Sequence, residues 1–304
     1  MRHGAPMVRA MSETEPETKV EEERGERIAK ALARAGIGSR REVERMIAAG
    51  RVALDGAVLE TPAVLVSGLD GITVDGRPVA PAMSARLWRY HKPPGLITSH
   101  RDPEGRATVF DHLPRHLPRV ISVGRLDLAS EGLLLLTNDG GLARWMSLPA
   151  TGWVRRYRVR AHGRIDAGAL TRLAEGFEIA GVRYGPITAE VERASGSNLW
   201  LRMALREGKN REIRRVLAAL GLKVNRLIRI AYGPFTLGGL PRGAVAEVPL
   251  KALLAVAADF FNSETPSVAV ERRTRPDPSK WAKAKPRTRP RPGARRRPRT
   301  KKKA

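Results

Sequence analysis

Two side chains of opposite charge, Arg125 and Asp127, stand two positions apart ahead of an unbroken apolar run, Leu133-Leu134-Leu135-Leu136, which ends in Thr137-Asn138-Asp139-Gly140. In an extended segment, residues i and i+2 point to the same side. A carboxylate and a guanidinium are therefore expected together at the edge of an apolar core. A single carboxylate aimed at a substrate and kept ionised by a neighbouring cation suits a nucleophile or a base. The same pattern fits a structural ion pair at a strand end, and the local residues leave both readings open. Two further stretches carry chemistry. Trp153-Val154-Arg155-Arg156-Tyr157-Arg158-Val159-Arg160 alternates as a strand should and holds a phenol at Tyr157. Glu207-Gly208-Lys209-Asn210-Arg211-Glu212 puts Lys209 at the mouth of an amphipathic helix whose stripe is Ile213, Val216, Leu217 and Leu220, with Gly221 closing it.

The elements that must position these residues can be read from periodicity and turn chemistry. The four leucines suit a strand buried on both faces or the apolar start of a helix, with Asn-Asp-Gly as the turn after it. Leu87 to Thr98 reads as a strand ending in Lys92-Pro93-Pro94-Gly95, where the prolines fix the backbone, Gly95 permits a tight turn and Lys92 offers a phosphate contact. A short helix is expected over 141–148, a helix over 166–177, and strands over 181–194 and 198–205.

The N-terminal third has its own pattern. From Arg27 a helix is expected with Ile28, Ala31, Leu32 and Ala35 on one face, stopped by Gly36 and Gly38. Ser39-Arg40-Arg41-Glu42 fits a capping box for a second helix that buries Val43, Met46 and Ile47 and ends at Gly50. Asp55-Gly56 and Asp75-Gly76 each sit between short apolar runs, which is a hairpin signal. Arg40, Arg41, Arg45 and Arg51 cluster around the second helix, a face that can lie along an RNA backbone and read its shape.

Composition bounds the partners. Lys and Arg total 56 against 31 Asp and Glu, a formal charge of +25. Residues 272–304 hold sixteen basic residues against Asp277, so the rest still carries +10. A basic body suggests a polyanion, because Lys and Arg that neutralise phosphates supply most non-specific affinity. No apolar run approaches the roughly 18 residues of a membrane span. There is no cysteine, which excludes disulfides, thiolate catalysis and Cys-ligated zinc. The start does not read as a secretory signal, since Ser12 to Glu26 is acidic with no apolar core, and a cytoplasmic protein is inferred. Residues 1–24 and 263–304 have compositions that cannot bury a core and are expected to be disordered, with 81–86 a linker.

The run Gly124-Arg125-Leu126-Asp127 followed by Gly132-Leu133-Leu134-Leu135-Leu136-Thr137-Asn138-Asp139-Gly140 resembles the signature of bacterial ribosomal RNA pseudouridine synthases, in the branch that carries an N-terminal S4 domain. Ala35 to Arg41 and Ile47 to Val52 resemble the S4 domain itself, and the likeness covers roughly residues 26–250. Asn210-Arg211-Glu212-Ile213-Arg214-Arg215 leans toward the B type among the enzymes that modify large-subunit rRNA. The resemblance implies an α+β chain: an S4 domain (α-α-β) over 25–80, then a synthase domain over 87–262 built on a mixed, mainly antiparallel sheet with a central cleft. It maps the catalytic residue onto Asp127, the residue packing against the uracil onto Tyr157, and the cation paired with the carboxylate onto Lys209. Arg125 supports the site. Arg40, Arg41, Arg45, Arg51, Lys92 and Arg211 are expected to bind RNA, while Arg214 or Arg215 reads as a solvated helix face. The implied reaction rejoins the same uracil through C5 with no redox change, so neither cofactor nor metal is expected. The partner would be ribosomal RNA, with no membrane involved and the protein a monomer. The alternative is a non-catalytic S4-type RNA-binding ribosome-assembly factor, which would bind rRNA without forming pseudouridine. A DNA-compacting protein is a third option, carried by the tail's composition alone.

Overall fold

The computed structural model describes residues 25–263. The acidic segment 1–24 lies outside the described residues, as does the basic tail from 264 onward. A two-residue strand, Glu26–Arg27, is followed by helices Ile28–Arg34 and Arg40–Ala48. The capping box is formed: Glu42 N–H donates to Ser39 Oγ at 3.2 Å, and Ser39 N–H donates to the Glu42 carboxylate at 2.6 Å. Both Asp-Gly turns have two residues in the left-handed region (Asp55 φ 49°, Gly56 φ 81°; Asp75 φ 50°, Gly76 φ 74°), the geometry a two-residue hairpin needs. They join Val52–Leu54 to Ala57–Val58 and Ile72–Val74 to Arg77–Pro78 in a four-stranded sheet. The helices pack on it through Ile28, Leu32, Val43, Ile47, Val52 and Ile72, all but sealed from solvent. Two helices followed by a sheet is the order expected from sequence.

The second, larger sheet has nine strands. Across it run Ile187–Ser195, Asn198–Leu205, Arg155–His162, Lys223–Tyr232, Glu131–Thr137, Leu87–Lys92 and Val245–Glu247, with two short strands pairing off this path. The named strands pair antiparallel except where Lys223–Tyr232 runs parallel to Glu131–Thr137. The leucine run is a strand, not a helix start, and all seven of its residues are buried. Leu133 and Leu135 join the core beneath helices Gly140–Ser147 and Leu250–Val256, whereas Leu134 and Leu136 pack with Trp88, Tyr90 and Val109 on the other face. A strand covered on both sides reads as a continuous apolar run for this reason. Helices Ala167–Arg172 and Glu212–Ala219 cover the far half of the sheet, over Val159, Leu201 and Met203. Among the described residues no helix is long and apolar enough to cross a membrane.

Two expected elements are corrected. The helix read over 166–177 is a helix only to Arg172, then a single tight turn, Leu173–Glu175; Phe177 begins a strand, Phe177–Ile179. Gly176 at φ 89° turns the chain between them. The strand read over 181–194 is two strands, Val182–Tyr184 and Ile187–Ser195, interrupted at Gly185-Pro186. Pro186 has no N–H with which to continue a ladder.

One glycine controls the parallel seam. Gly132 sits at φ 106°, and a Cβ there would lie 2.3 Å from Arg229 O and 2.7 Å from Arg229 N. Backbone strain and overpacking each cost about 1–3 kcal/mol. Gly132→Ala is therefore expected to lower the melting temperature by on the order of 10 °C, at about 2–4 °C per kcal/mol for a domain of this size. A thermal melt within 2 °C of wild type, roughly the error of such a scan, would show that the seam does not need glycine here.

Candidate active site

The loop Val123–Ser130 enters the buried leucine strand, and its carbonyls are gathered one by one. Thr98 Oγ1 donates to Leu126 O at 2.8 Å. Lys92 Nζ donates to Asp127 O at 3.2 Å, Leu128 O at 3.4 Å and Ser130 O at 2.9 Å, and also to Pro93 O at 3.1 Å. Gly95 N–H donates to Leu128 O at 2.8 Å, and Arg214 Nη2 donates to Ala129 O at 2.9 Å. Every carbonyl from Leu126 to Ser130 is thus engaged. The side chain of Asp127, half-buried, faces a cleft of about 670 Å³.

This geometry corrects the expectation for Lys92. The residue is fully buried, and its ammonium is turned onto the loop carbonyls, so it has no surface to present to a phosphate. Burial pushes its pKa down from 10.5 to about 8, against the opposing pull of Asp127 and Glu131.

Arg125, Asp127, Tyr157, Lys209 and Arg211 all line the cleft. Arg125 and Asp127 lie in loop rather than strand, and among the described residues no carboxylate is within ion-pair distance of Arg125. Tyr157 is 9% exposed and stands directly opposite Arg229 on the neighbouring strand. Arg211 takes a left-handed conformation, φ 51°, as it leads into the helix Glu212–Ala219. Arg40, Arg41, Arg45 and Arg51 are exposed on the N-terminal unit, where Arg51 holds Asp75 at 2.6 and 2.8 Å and Arg45 Nε donates to Arg41 O at 3.3 Å.

The expected pairing of Lys209 with Asp127 is not what the structure places together. Lys209 Nζ lies 2.7 Å from Glu207 and donates to Arg183 O at 2.6 Å. Besides Lys92, the cation that reaches the Asp127 loop is Arg214, read from sequence as a solvated face. It is half-buried, donates to Ala129 O and to Val224 O at 3.2 Å, and has its Nε sealed without a partner among the described residues. Burial and the charge of Arg211 depress its pKa, and the Asp127 carboxylate counters them. A basic position in a helix reads alike whether it faces water or a neighbouring loop, so spacing alone could not separate Arg214 from Arg215.

Four further residues shape the cleft and were not singled out from sequence. Arg229, 3% exposed, donates Nε to Leu133 O at 2.7 Å and leaves Nη2 without a partner. A charged side chain inside the otherwise apolar stretch Leu227-Ile228-Arg229-Ile230 is the signal that could have marked it. Tyr232 has two guanidinium carbons near its ring, Arg155 at 4.9 Å and Arg229 at 5.2 Å, and its hydroxyl donates to Met146 O at 3.0 Å. Glu207 and Glu212 put acid into a basic cleft. Burial pushes Glu212 up to about 7, assisted by the nearby Glu207 charge and opposed by the Lys209 N–H. Glu207 is half-buried, and hydrogen bonds from Lys209 and the Gly185 N–H outweigh the cost of burial and hold it below the ordinary range.

The arrangement places the Asp127 carboxylate on a loop anchored through its carbonyls, in a cleft that Tyr157 and several arginines also line and that is large enough for a nucleotide base. A family profile described as RNA pseudouridylate synthase matches residues 86–219, and the S4 domain profile matches 26–72. An uncharacterized RNA pseudouridine synthase of Rickettsia felis is 48% identical over 228 residues, covering 75% of this chain and 99% of that protein. Ribosomal large subunit pseudouridine synthase B of Salmonella typhimurium is 43% identical over 233 residues, covering 74% of this chain and 80% of that one. Among solved structures, a crystal structure of a pseudouridylate synthase superposes with a TM-score of 0.55 at 23% identity, covering 76% of this chain and 99% of that chain. The last likeness is one of fold.

Lys92 gives a test that needs no substrate. Its folded pKa of about 8 lies below the unfolded value near 10.5, so between these the unfolded chain binds more protons. The penalty this group places on stability is complete below pH 8 and fades as pH rises. The loop, however, loses its ammonium donor over the same window. Hydrogen-exchange protection of the Gly95 and Ser130 amides is expected to fall above pH 8 although the melting temperature does not fall, and Lys92→Met should show low protection at every pH. Protection that stays flat to pH 9.5, on the order of the upper half of that window, would remove Lys92 as the organiser of the loop.

Proposed function

This chain belongs to the RNA pseudouridine synthase family, and on that premise we propose that it isomerises uridine to pseudouridine in ribosomal RNA of the large subunit, with Asp127 as the catalytic carboxylate. The observation that carries the assignment of Asp127 is its backbone. It lies in a loop whose five carbonyls are held, so its side chain enters the cleft at a fixed position. The names of the large-subunit relatives support the choice of RNA.

A base inside a duplex is out of reach, so the target uridine is flipped into the cleft. The C1′–N1 bond breaks with its electron pair passing to N1, and uracil leaves as an anion. Asp127 acts at the sugar, as a nucleophile at C1′ or as a base; this is the work a carboxylate does opposite an oxocarbenium-like centre. The uracil turns, C5 bonds to C1′, the C5 proton is lost and N1 gains one. Atoms and charge balance with no added group, so no cofactor is needed. Tyr157 stacks on the flipped base. Arg125 and Arg211 meet the RNA strand at the mouth. Arg214 fixes the Asp127 loop and supplies the nearby positive charge. The S4 domain, with Arg40, Arg41 and Arg45 exposed, grips RNA outside the cleft. We assign residues 25–80 to this domain and 87–262 to the synthase, and place the protein in the cytoplasm as a monomer.

Asp127→Asn keeps the shape of the side chain and removes its charge. It is expected to abolish pseudouridine formation on an rRNA fragment while the dissociation constant for that fragment stays within about threefold, since most affinity comes from phosphate contacts. Wild-type turnover by this variant would refute the assignment. Arg214→Ala releases the Ala129 anchor, and because a shift of about 1 Å can cost 10²-fold in rate, kcat is expected to fall by about that factor. Lys209→Ala, which breaks the pair with Glu207, the Arg183 contact and the approach to the Tyr184 ring but none to the Asp127 loop, should lower kcat by less than about tenfold on the same reasoning. The reverse ranking of these two variants would restore Lys209 as the partner of the carboxylate.

A further inference from the structure

The strand Arg155–His162 divides two environments by its alternation. Arg155 and Tyr157 look into the cleft, whereas Arg156, Arg158 and Arg160 are exposed on the opposite face. The pairing register sets Arg158 directly opposite Arg202, and it sets Arg160 between Trp200 on one neighbouring strand and Arg226 on the other. None of these residues lines the cleft.

Like charges directly opposite across a sheet are destabilising, and only part of this charge is neutralised. Glu192 accepts from Arg158 Nε at 2.7 Å and from Arg202 Nη2 at 3.1 Å. It sits where the register of its strand slips between Val191 and Arg193, the extra residue of a bulge. Arg226 lies 2.8 Å from Glu131. Arg156 and Arg160 have no carboxylate within ion-pair distance among the described residues. The Arg158 guanidinium lies 4.5 Å from the centre of the half-buried Trp200 ring, so an aromatic stands among the arginines.

Successive arginines on one face of a strand are about 6.6 Å apart, at twice the rise per residue. Each offers a planar fork of donors that matches a phosphate bidentately. An excess of cation in a regular row, with an aromatic beside it, is complementary to a phosphodiester backbone, and Glu192 answers only Arg158 and Arg202, leaving Arg156 and Arg160 without a carboxylate partner among the described residues. We propose that this outer face of the sheet is a second RNA-binding surface, in which Arg156, Arg158, Arg160 and Arg202 hold a segment of the RNA backbone remote from the nucleotide in the cleft. The proposal rests on the reading of the chain as an rRNA pseudouridine synthase. It divides RNA contacts between the cleft, which takes the target nucleotide, and the reverse of the same sheet, which takes a flanking helix.

The test uses the full chain and the double variant Arg156→Gln/Arg160→Gln, both exposed positions. Two RNAs serve as probes: a short hairpin that carries the target uridine, and a long rRNA fragment that adds its flanking helices. Binding is measured from 50 to 200 mM salt, on the order of the range over which phosphate contacts show most clearly. On the long fragment the slope of log K against log salt is expected to become shallower by about 1.5, for two lost phosphate contacts at 0.7–0.9 each. Affinity at low salt should fall about tenfold, pseudouridine formation at saturating RNA should be unchanged, and the hairpin should bind as before. An unchanged slope on the long fragment overturns the proposal. An equal loss on the hairpin overturns the remote placement. A variant that loses binding to vesicles containing phosphatidylserine while binding RNA normally would make the face a membrane contact instead. Wild-type protein that binds both RNAs but converts no uridine would sink the enzymatic reading and leave the RNA surface standing, because binding and conversion are read separately.

Discussion

A single ammonium group, that of Lys92, holds together the parts of the molecule that matter most. Taking a charge out of water costs several kcal/mol unless hydrogen bonds replace the lost hydration. Here four carbonyl oxygens do so, three of them from the loop that carries Asp127. The Lys-Pro-Pro-Gly stretch suits this task. Pro93 contributes its own carbonyl, neither proline brings an N–H that would compete, and Gly95 at φ 89° turns its N–H onto Leu128 O. Two segments far apart in sequence are thereby fused into one scaffold, and Thr98 extends it from the same side. A lysine that reads from sequence as a surface cation is instead the keystone of a loop.

From that scaffold the electrostatics of the cleft follow. The guanidinium groups in and behind the cleft have positions set by main-chain acceptors: Arg214 by Ala129 and Val224, Arg229 by Leu133, Arg155 by the Arg206 carbonyl. Cations tied to backbone keep their places when a polyanion arrives, which lowers the ordering that binding demands. The acids in the cleft are arranged with equal care. Glu207 is held ionised by Lys209, while Glu212 is pushed toward its neutral form at the helix entrance, so the pair brings less negative charge into an RNA site than two free carboxylates would.

Much of the fold was legible because local rules and global packing agree. The Ser39–Glu42 capping box, the two Asp-Gly hairpins and the doubly buried leucine strand are each dictated by a few residues whose chemistry allows little else. The misreadings have a common cause. Phe177 continued a helical apolar pattern, but Gly176 turned the chain, a decision made by the close approach of the Tyr184 carbonyl, 2.8 Å from where a Cβ would sit. Lys92, Arg214 and Arg229 are charged residues in the interior, and sequence assigns charge to the surface by default. Only the tertiary structure reveals which carbonyls they meet. The proposal of Asp127 rests on resemblance, since an Arg-x-Asp at a strand edge has too many structural uses to identify a site.

The seam between Glu131–Thr137 and Lys223–Tyr232 explains why the cleft lies where it does. An antiparallel sheet can continue without interruption, but one parallel pairing forces its two strands to enter from the same end. The loop before Glu131 and the helix before Lys223 therefore converge, carrying Asp127 and Arg214 to a common place. Gly132 lets the two backbones come close enough for Arg229 to fold over Leu133, and Tyr157 on the next strand completes the wall. To displace the carboxylate, contacts from Lys92, Gly95, Thr98 and Arg214 would have to fail together, and these come from both sides of the seam. The position of one side chain is in this sense a property of the whole sheet, and it is as stable as the sheet is.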